Sequence, residues 1–207
     1  MRARRTTTVL SVLAAVTVGH LIASRAETGL GDKPFVTSAS EGRVAHLTYA
    51  DVEVTDVTPA RYVVPQVSTE LARLAGGVYL FVSVKATATR ETTTFYGAYL
   101  VDQSGRQYRA SAKAECALTL ESGPGIPAYA VYCFDVPTDR LAGLHLELGR
   151  GSLIYSTFQG DAIADIDLGI TAADQRSWPK TDDAYLAEAT SLAPIELESV
   201  TLTETGS

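Results

Sequence analysis

Val78-Tyr79-Leu80-Phe81-Val82-Ser83-Val84-Lys85-Ala86-Thr87 is the stretch that decides the fold. Val78, Leu80, Val82 and Val84 fall on one face, while Ser83, Lys85 and Thr87 fall on the other. That period of two is the mark of a half-buried strand. Leu144-His145-Leu146-Glu147-Leu148 and Ile166-Asp167-Leu168-Gly169-Ile170 repeat the pattern. Further strands are expected over 45–57, 62–67, 95–102, 107–111, 114–120 and 129–136, with a bulge-like phase shift between Tyr49 and Val52. Asp102-Gln103-Ser104-Gly105 supplies a turn. Many short strands with no long helix between them predict two packed antiparallel sheets.

Outside 44–170 the pattern changes. Residues 27–43 are polar and Gly-containing, as a tether would be. In 171–207, Thr171-Ala172-Ala173-Asp174 has the form of a helix start that Pro179 stops. Asp182-Asp183 is expected to cap a second short helix through Tyr185 and Leu186. Residues 195–202 then add an edge strand or trail off. Trp178 and Tyr185 either dock on the sandwich or await a partner, and docking is favoured because Trp178 follows closely on the strand ending at Ile170.

Residues 1–26 set the compartment. Between Arg5 and Arg25 there is no formal charge. As a helix, the roughly 19 residues from Thr6 to Ser24 reach about 28 Å, close to the roughly 30 Å of a bilayer's hydrocarbon. Arg2, Arg4 and Arg5 would stay cytoplasmic, leaving the rest of the chain outside. The segment is either an uncleaved anchor or a signal peptide with Ser24 and Ala26 before the cut. No Cys lies near its end, which excludes a lipid-modified cysteine.

Composition narrows the function further. A net charge of -7 argues against nucleic acid. Asn is absent, so no N-glycosylation acceptor exists. The two cysteines, Cys116 and Cys133, flank the loop Glu121-Ser122-Gly123-Pro124-Gly125-Ile126-Pro127. In an exported chain they are expected to form a disulfide, with free thiols the alternative. Two thiols without a nearby His pair do not make a zinc site.

Catalytic machinery is not evident. His20, His46 and His145 form no His-x-x-x-His or Glu-x-x-His spacing. Gly-x-Ser-x-Gly is missing, and Gly123-Pro124-Gly125 lacks the Lys of a phosphate loop. Asp161, Asp165 and Asp167 are either a solvated strand face or oxygen ligands for calcium. Tyr96 and Tyr99, then Tyr129 and Tyr132, belong either to the core or to a contact surface.

Gly77-Val78-Tyr79-Leu80-Phe81-Val82-Ser83-Val84, Tyr99 to Tyr108, Tyr132-Cys133-Phe134-Asp135-Val136-Pro137 and Leu144 to Leu148 follow one another in an order that is moderately specific. On these residues, 44–170 resembles the telokin-like, DUF4352-type (MPT63-like) immunoglobulin-like sandwich domains of exported actinobacterial proteins. The resemblance implies a fold and no activity, since no catalytic motif defines those families.

The expectation is thus an all-β, immunoglobulin-like antiparallel sandwich behind an N-terminal apolar helix, with a short helical C-terminal extension. It would be a non-catalytic envelope module, single-pass with its C-terminal domain outside or else secreted. It would need no cofactor or metal and would bind a protein or cell-wall partner. A secreted antigen-like protein and an accessory subunit of an envelope enzyme are the alternatives.

Overall fold

The alternating run around Val82 forms the middle of the longest strand among the described residues. The computed structural model describes residues 34–65, 72–111, 116–150, 161–186 and 190–202. Thirteen strands follow in chain order among these residues. They are β1 (Phe35–Ser40), β2 (Val44–His46), β3 (Ala50–Val64), β4 (Arg73–Ala88), β5 (Thr93–Phe95), β6 (Gly97–Val101), β7 (Gln107–Arg109), β8 (Leu120–Ser122), β9 (Pro127–Val136), β10 (His145–Gly149), β11 (Ala162–Asp167), β12 (Ala184–Leu186) and β13 (Thr190–Ser191). One helix, α1 (Ala172–Ser177), and a 3-10 turn (Trp178–Lys180) lie between β11 and β12.

The strands form two main sheets, ordered β1-β11-β10-β6-β7 and β12-β3-β4-β9-β13, with β2 on β3 and a separate β5–β8 ribbon. Val78, Leu80, Val82 and Val84 point between the sheets, joined by Val52, Tyr132 and Phe134 of their own sheet and by Leu100, Leu146 and Ile166 of the other. Fully burying each such side chain contributes about 1.5–3 kcal/mol. At one end Tyr49 ties the sheets together. Its hydroxyl donates to the Ala162 carbonyl at 2.6 Å and accepts from the Arg150 N–H at 3.1 Å, with the Arg150 guanidinium 4.1 Å from the ring centroid.

The opposite face of β4 is not simply solvated. Tyr79 and Phe81 are also buried, in a second cluster with Ala60, Val63, Val131, Cys133 and Cys116. Tyr185, Ile195 and Leu197 of the C-terminal extension pack over this cluster as a third layer. Trp178 packs instead against the main core.

Several expectations are corrected. The tether expected over 27–43 gives way to a strand at Phe35, because β1 pairs with β11 from Phe35↔Ala162 to Ser40↔Asp167. That pairing is parallel, as is β12 on β3, so the sandwich is not wholly antiparallel. The phase shift after Tyr49 is a turn joining β2 to β3, and the register irregularities come later, between Val54 and Asp56 and between Ala60 and Tyr62. The strands expected over 45–57 and 62–67 are largely one strand, β3.

Residues 116–119 lie outside any strand, and Leu120 begins the β5–β8 ribbon. The second helix expected after Asp182-Asp183 is the strand β12, since Tyr62-Val63-Val64 offers a free ladder to Ala184–Leu186. Residues 198–200 add an outer rung, with bonds from Leu186 N to Glu198 O and from Val200 N to Ala184 O. The first helix forms as read, with a reciprocal cap between Thr171 and Asp174. The N-terminal apolar segment lies outside the described residues, among which no helix is long and apolar enough to cross a membrane.

Candidate functional site

Of the polar residues singled out in the sequence, His145 and Asp165 meet, and the others described go to separate partners. His46 Nδ1 lies 2.7 Å from Asp51 Oδ1 on the exposed edge of the six-stranded sheet. His145 Nδ1 lies 3.3 Å from Asp165 Oδ1 on the other sheet, and His20 is outside the described residues. Asp161 accepts the Ala162 N–H at 2.8 Å and lies 3.7 Å from Arg150. Asp167 accepts the Gly169 N–H at 2.9 Å. The three aspartates therefore serve three different partners. Among the described residues no group of three metal-capable side chains gathers. Glu147, not singled out in the sequence, stands directly opposite Asp165. Burial, and then the Asp165 charge, push its carboxyl above the usual range.

Cys116 and Cys133 are joined by a disulfide, with Cα atoms 5.7 Å apart. Both are buried in the outer cluster beneath the extension rather than between the sheets. Backbone bonds from Ser111 to Cys133 (2.7 Å) and from Ala117 to Val131 (2.9 Å) hold the incoming chain along β9.

The tyrosines divide. Tyr132 is a core residue, fully buried, and its hydroxyl has no hydrogen-bond partner among the described residues. Tyr129 lines a shallow groove of about 260 Å³ on the outer face of the six-stranded sheet, beside Glu53, Ser83, Lys85 and Ile195. Glu53 and Lys85 pair there at 3.7 Å.

Tyr96 and Tyr99 frame a second cleft, of about 240 Å³, with Arg109 and Leu118, over a floor of Gly97 and Ala98. Its origin is local. β7 is only three residues long; Ala110 still bonds to Ala98 at 3.3 Å, but the Ser111 N–H turns away to Cys133 of the other sheet. Among the described residues, the start of β6 is thereby left uncovered on this side. Tyr99 stands opposite Arg109 in the β6–β7 register. The Arg109 guanidinium lies 5.8 Å from the Tyr99 ring centroid, and its Nη2 donates to the Tyr99 hydroxyl at 3.4 Å. Arg109 forms no ion pair among the described residues. Tyr96 is 40% exposed and Leu118 is 41% exposed, so both present apolar surface at the cleft.

The sequence offered Tyr96 and Tyr99 but neither Arg109 nor Leu118, which come from separate segments with no shared pattern.

No protein-family model matches this chain, and no curated protein does. Among solved structures it is similar to the YjhA protein of Bacillus subtilis, at 14% identity and a TM-score of 0.47, over 63% of this chain and 99% of that one. It is similar to the secreted protein MPT63 of Mycobacterium tuberculosis, at 14% identity and a TM-score of 0.46, over 64% and 99%. An uncharacterised β-sandwich protein of Clostridium difficile matches at 13% identity and a TM-score of 0.38, over 65% and 96%. The sandwich is established by this chain's own register and buried faces, to which these distant likenesses add nothing.

Proposed function

We propose that this chain is an immunoglobulin-like, extracytoplasmic interaction module, anchored by its N-terminal apolar segment, that binds an envelope protein or cell-wall component without catalysis. The observation that carries the reading is the cleft at the start of β6, where Tyr96 and Leu118 stand exposed beside Arg109. Aromatic side chains and Arg are the residue types that anchor partners most often. Export is supported by the Cys116–Cys133 disulfide, because such bonds persist in oxidising compartments. The absence of catalysis is supported by chemistry already described. Both thiols are consumed in the bridge, and His46 and His145 serve different carboxylates on different sheets.

The test is co-isolation from native envelopes. A Tyr96→Ala/Leu118→Ala variant whose melting temperature matches the wild type should lose the envelope component that the wild type recovers. Recovery of the same component at the same yield would overturn the cleft as the contact surface. Fractionation of the same cells separates anchor from secretion, since a cleaved chain beginning near Glu27 would be recovered in the soluble fraction.

A further inference from the structure

We infer that the β6–β7 cleft takes a small carboxylate-bearing ligand with an apolar body, about the size of one leucine or phenylalanine residue, and that Arg109 recognises its carboxylate. This deepens the reading of the cleft as a contact site and rests on it.

Three observations converge. The first is charge. Arg109 is an exposed cation on a chain of net charge -7, and it has no ion-pair partner among the described residues. The nearest acid along its cross-strand row is Glu147, on the far side of Tyr99, and that carboxylate is bonded instead to Gln107 Nε2 at 3.3 Å. The second is orientation. Tyr99 holds the guanidinium against its ring and through its hydroxyl, which lowers the entropic cost of presenting the planar fork to a ligand. A planar fork with five donors matches a carboxylate edge-on, as a two-point contact. The third is the wall. Tyr96 and Leu118 present apolar surface at the same cleft, so the ligand body is not itself charged.

The size follows from the volume. About 240 Å³ lies below the roughly 300–1,000 Å³ of drug-sized pockets and holds one amino-acid residue. A free N-acylated amino acid and the C-terminal residue of a peptide share this chemistry.

The experiment titrates the full-length protein in detergent, read by saturation-transfer NMR. The probes are N-acetyl-L-leucine, N-acetyl-L-leucinamide, the peptide Gly-Gly-Gly-Gly-Leu with a free C-terminus, and inorganic phosphate. The carboxylate should bind at least tenfold more tightly than the amide. Arg109→Gln should abolish that difference. Arg106→Gln should preserve it, because Arg106 lies over Tyr108 and does not line the cleft. Tighter binding of the peptide than of the acetylated residue marks a peptide end as the ligand; the reverse order marks a small molecule.

Equal binding of acid and amide, a difference that survives Arg109→Gln, or displacement by phosphate at equal concentration would each overturn the assignment. Failure of the leucine probes, with envelope recovery still dependent on Tyr96 and Leu118, would remove the carboxylate and leave the contact site standing. Loss of both would remove the site itself.

Discussion

The ring of Tyr185 meets the ring of Phe81 edge-on, with centroids 5.8 Å apart and planes inclined at 65°. Through this contact the C-terminal extension becomes part of the domain. Phe81 sits on the outer face of the central strand, in a cluster that includes Cys116 and over which Tyr185, Ile195 and Leu197 of the extension pack. Edge-to-face pairs add about 0.5–1.5 kcal/mol beyond the area they bury.

Truncation after Ile170 should therefore expose Phe81, Tyr79 and Val131 and lower the melting temperature by about 5 °C or more. Tyr185→Ala is the milder version, costing about 1–2 kcal/mol. Circular dichroism melts of both decide the matter. Unchanged melting in the truncated chain would mean that the extension is not a structural layer.

Loss of the bridge should be equally visible. Cys133→Ser should destabilise by about 2–5 kcal/mol, as removal of a native disulfide usually does. In the exported wild type, both thiols should resist alkylation until reductant is added. Immediate labelling of Cys116 and Cys133 in folded protein would contradict the buried bridge.

Asp102 gives the acid limb of stability. Its carboxylate accepts from the Ser104 hydroxyl, from the backbone N–H groups of Arg106 and Ser104, and from the Tyr108 hydroxyl, which together outweigh its desolvation. These bonds favour the charged form and hold its pKa down to about 2. The unfolded chain has an ordinary value of about 3.9. A depressed folded pKa contributes stability that is present above the unfolded value and lost as pH falls towards the folded one. Urea melts from pH 5 to pH 2 should show this loss in the wild type. Asp102→Asn should be less stable at pH 5 and show a flatter acid limb. An identical acid limb in the variant would remove Asp102 from the account.

Gly77 and its neighbour should behave differently. A Cβ at Gly77 would lie 2.0 Å from the Val136 carbonyl oxygen, whereas one at Gly76 would meet only the Asp135 carboxylate at 3.4 Å. Gly77→Ala must push β4 away from the backbone of β9, at a cost of about 3 kcal/mol. Gly76→Ala should cost well under half as much. Chemical denaturation of the two variants in parallel checks the order.

What was legible in the sequence follows from the range of the forces involved. β4, β10 and the Asp102 turn are written in residues that neighbour one another, so periodicity and turn chemistry reveal them. β1 is a strand only because β11 lies beside it, and that partner is far along the chain. β12 carries two acids in front of it that look like a helix cap, yet the open ladder of β3 outweighs local propensity. The burial of Tyr79 and Phe81 on the second face of β4 was equally invisible, because it depends on where the extension lands. Tyr96 and Tyr99 stand out by residue type, but the cleft exists only where Arg109 and Leu118 arrive from separate segments.

The module is proposed to meet its envelope partner at the β6–β7 cleft. Site-specific photocrosslinking in intact cells tests it most directly, with p-benzoylphenylalanine placed at Leu118 and, as control, at the exposed His46 on the other sheet. The expected result is one discrete adduct from position 118, diminished at least tenfold by Tyr96→Ala and absent from position 46. Equal adducts from both positions, or an adduct at 118 indifferent to Tyr96, would contradict it.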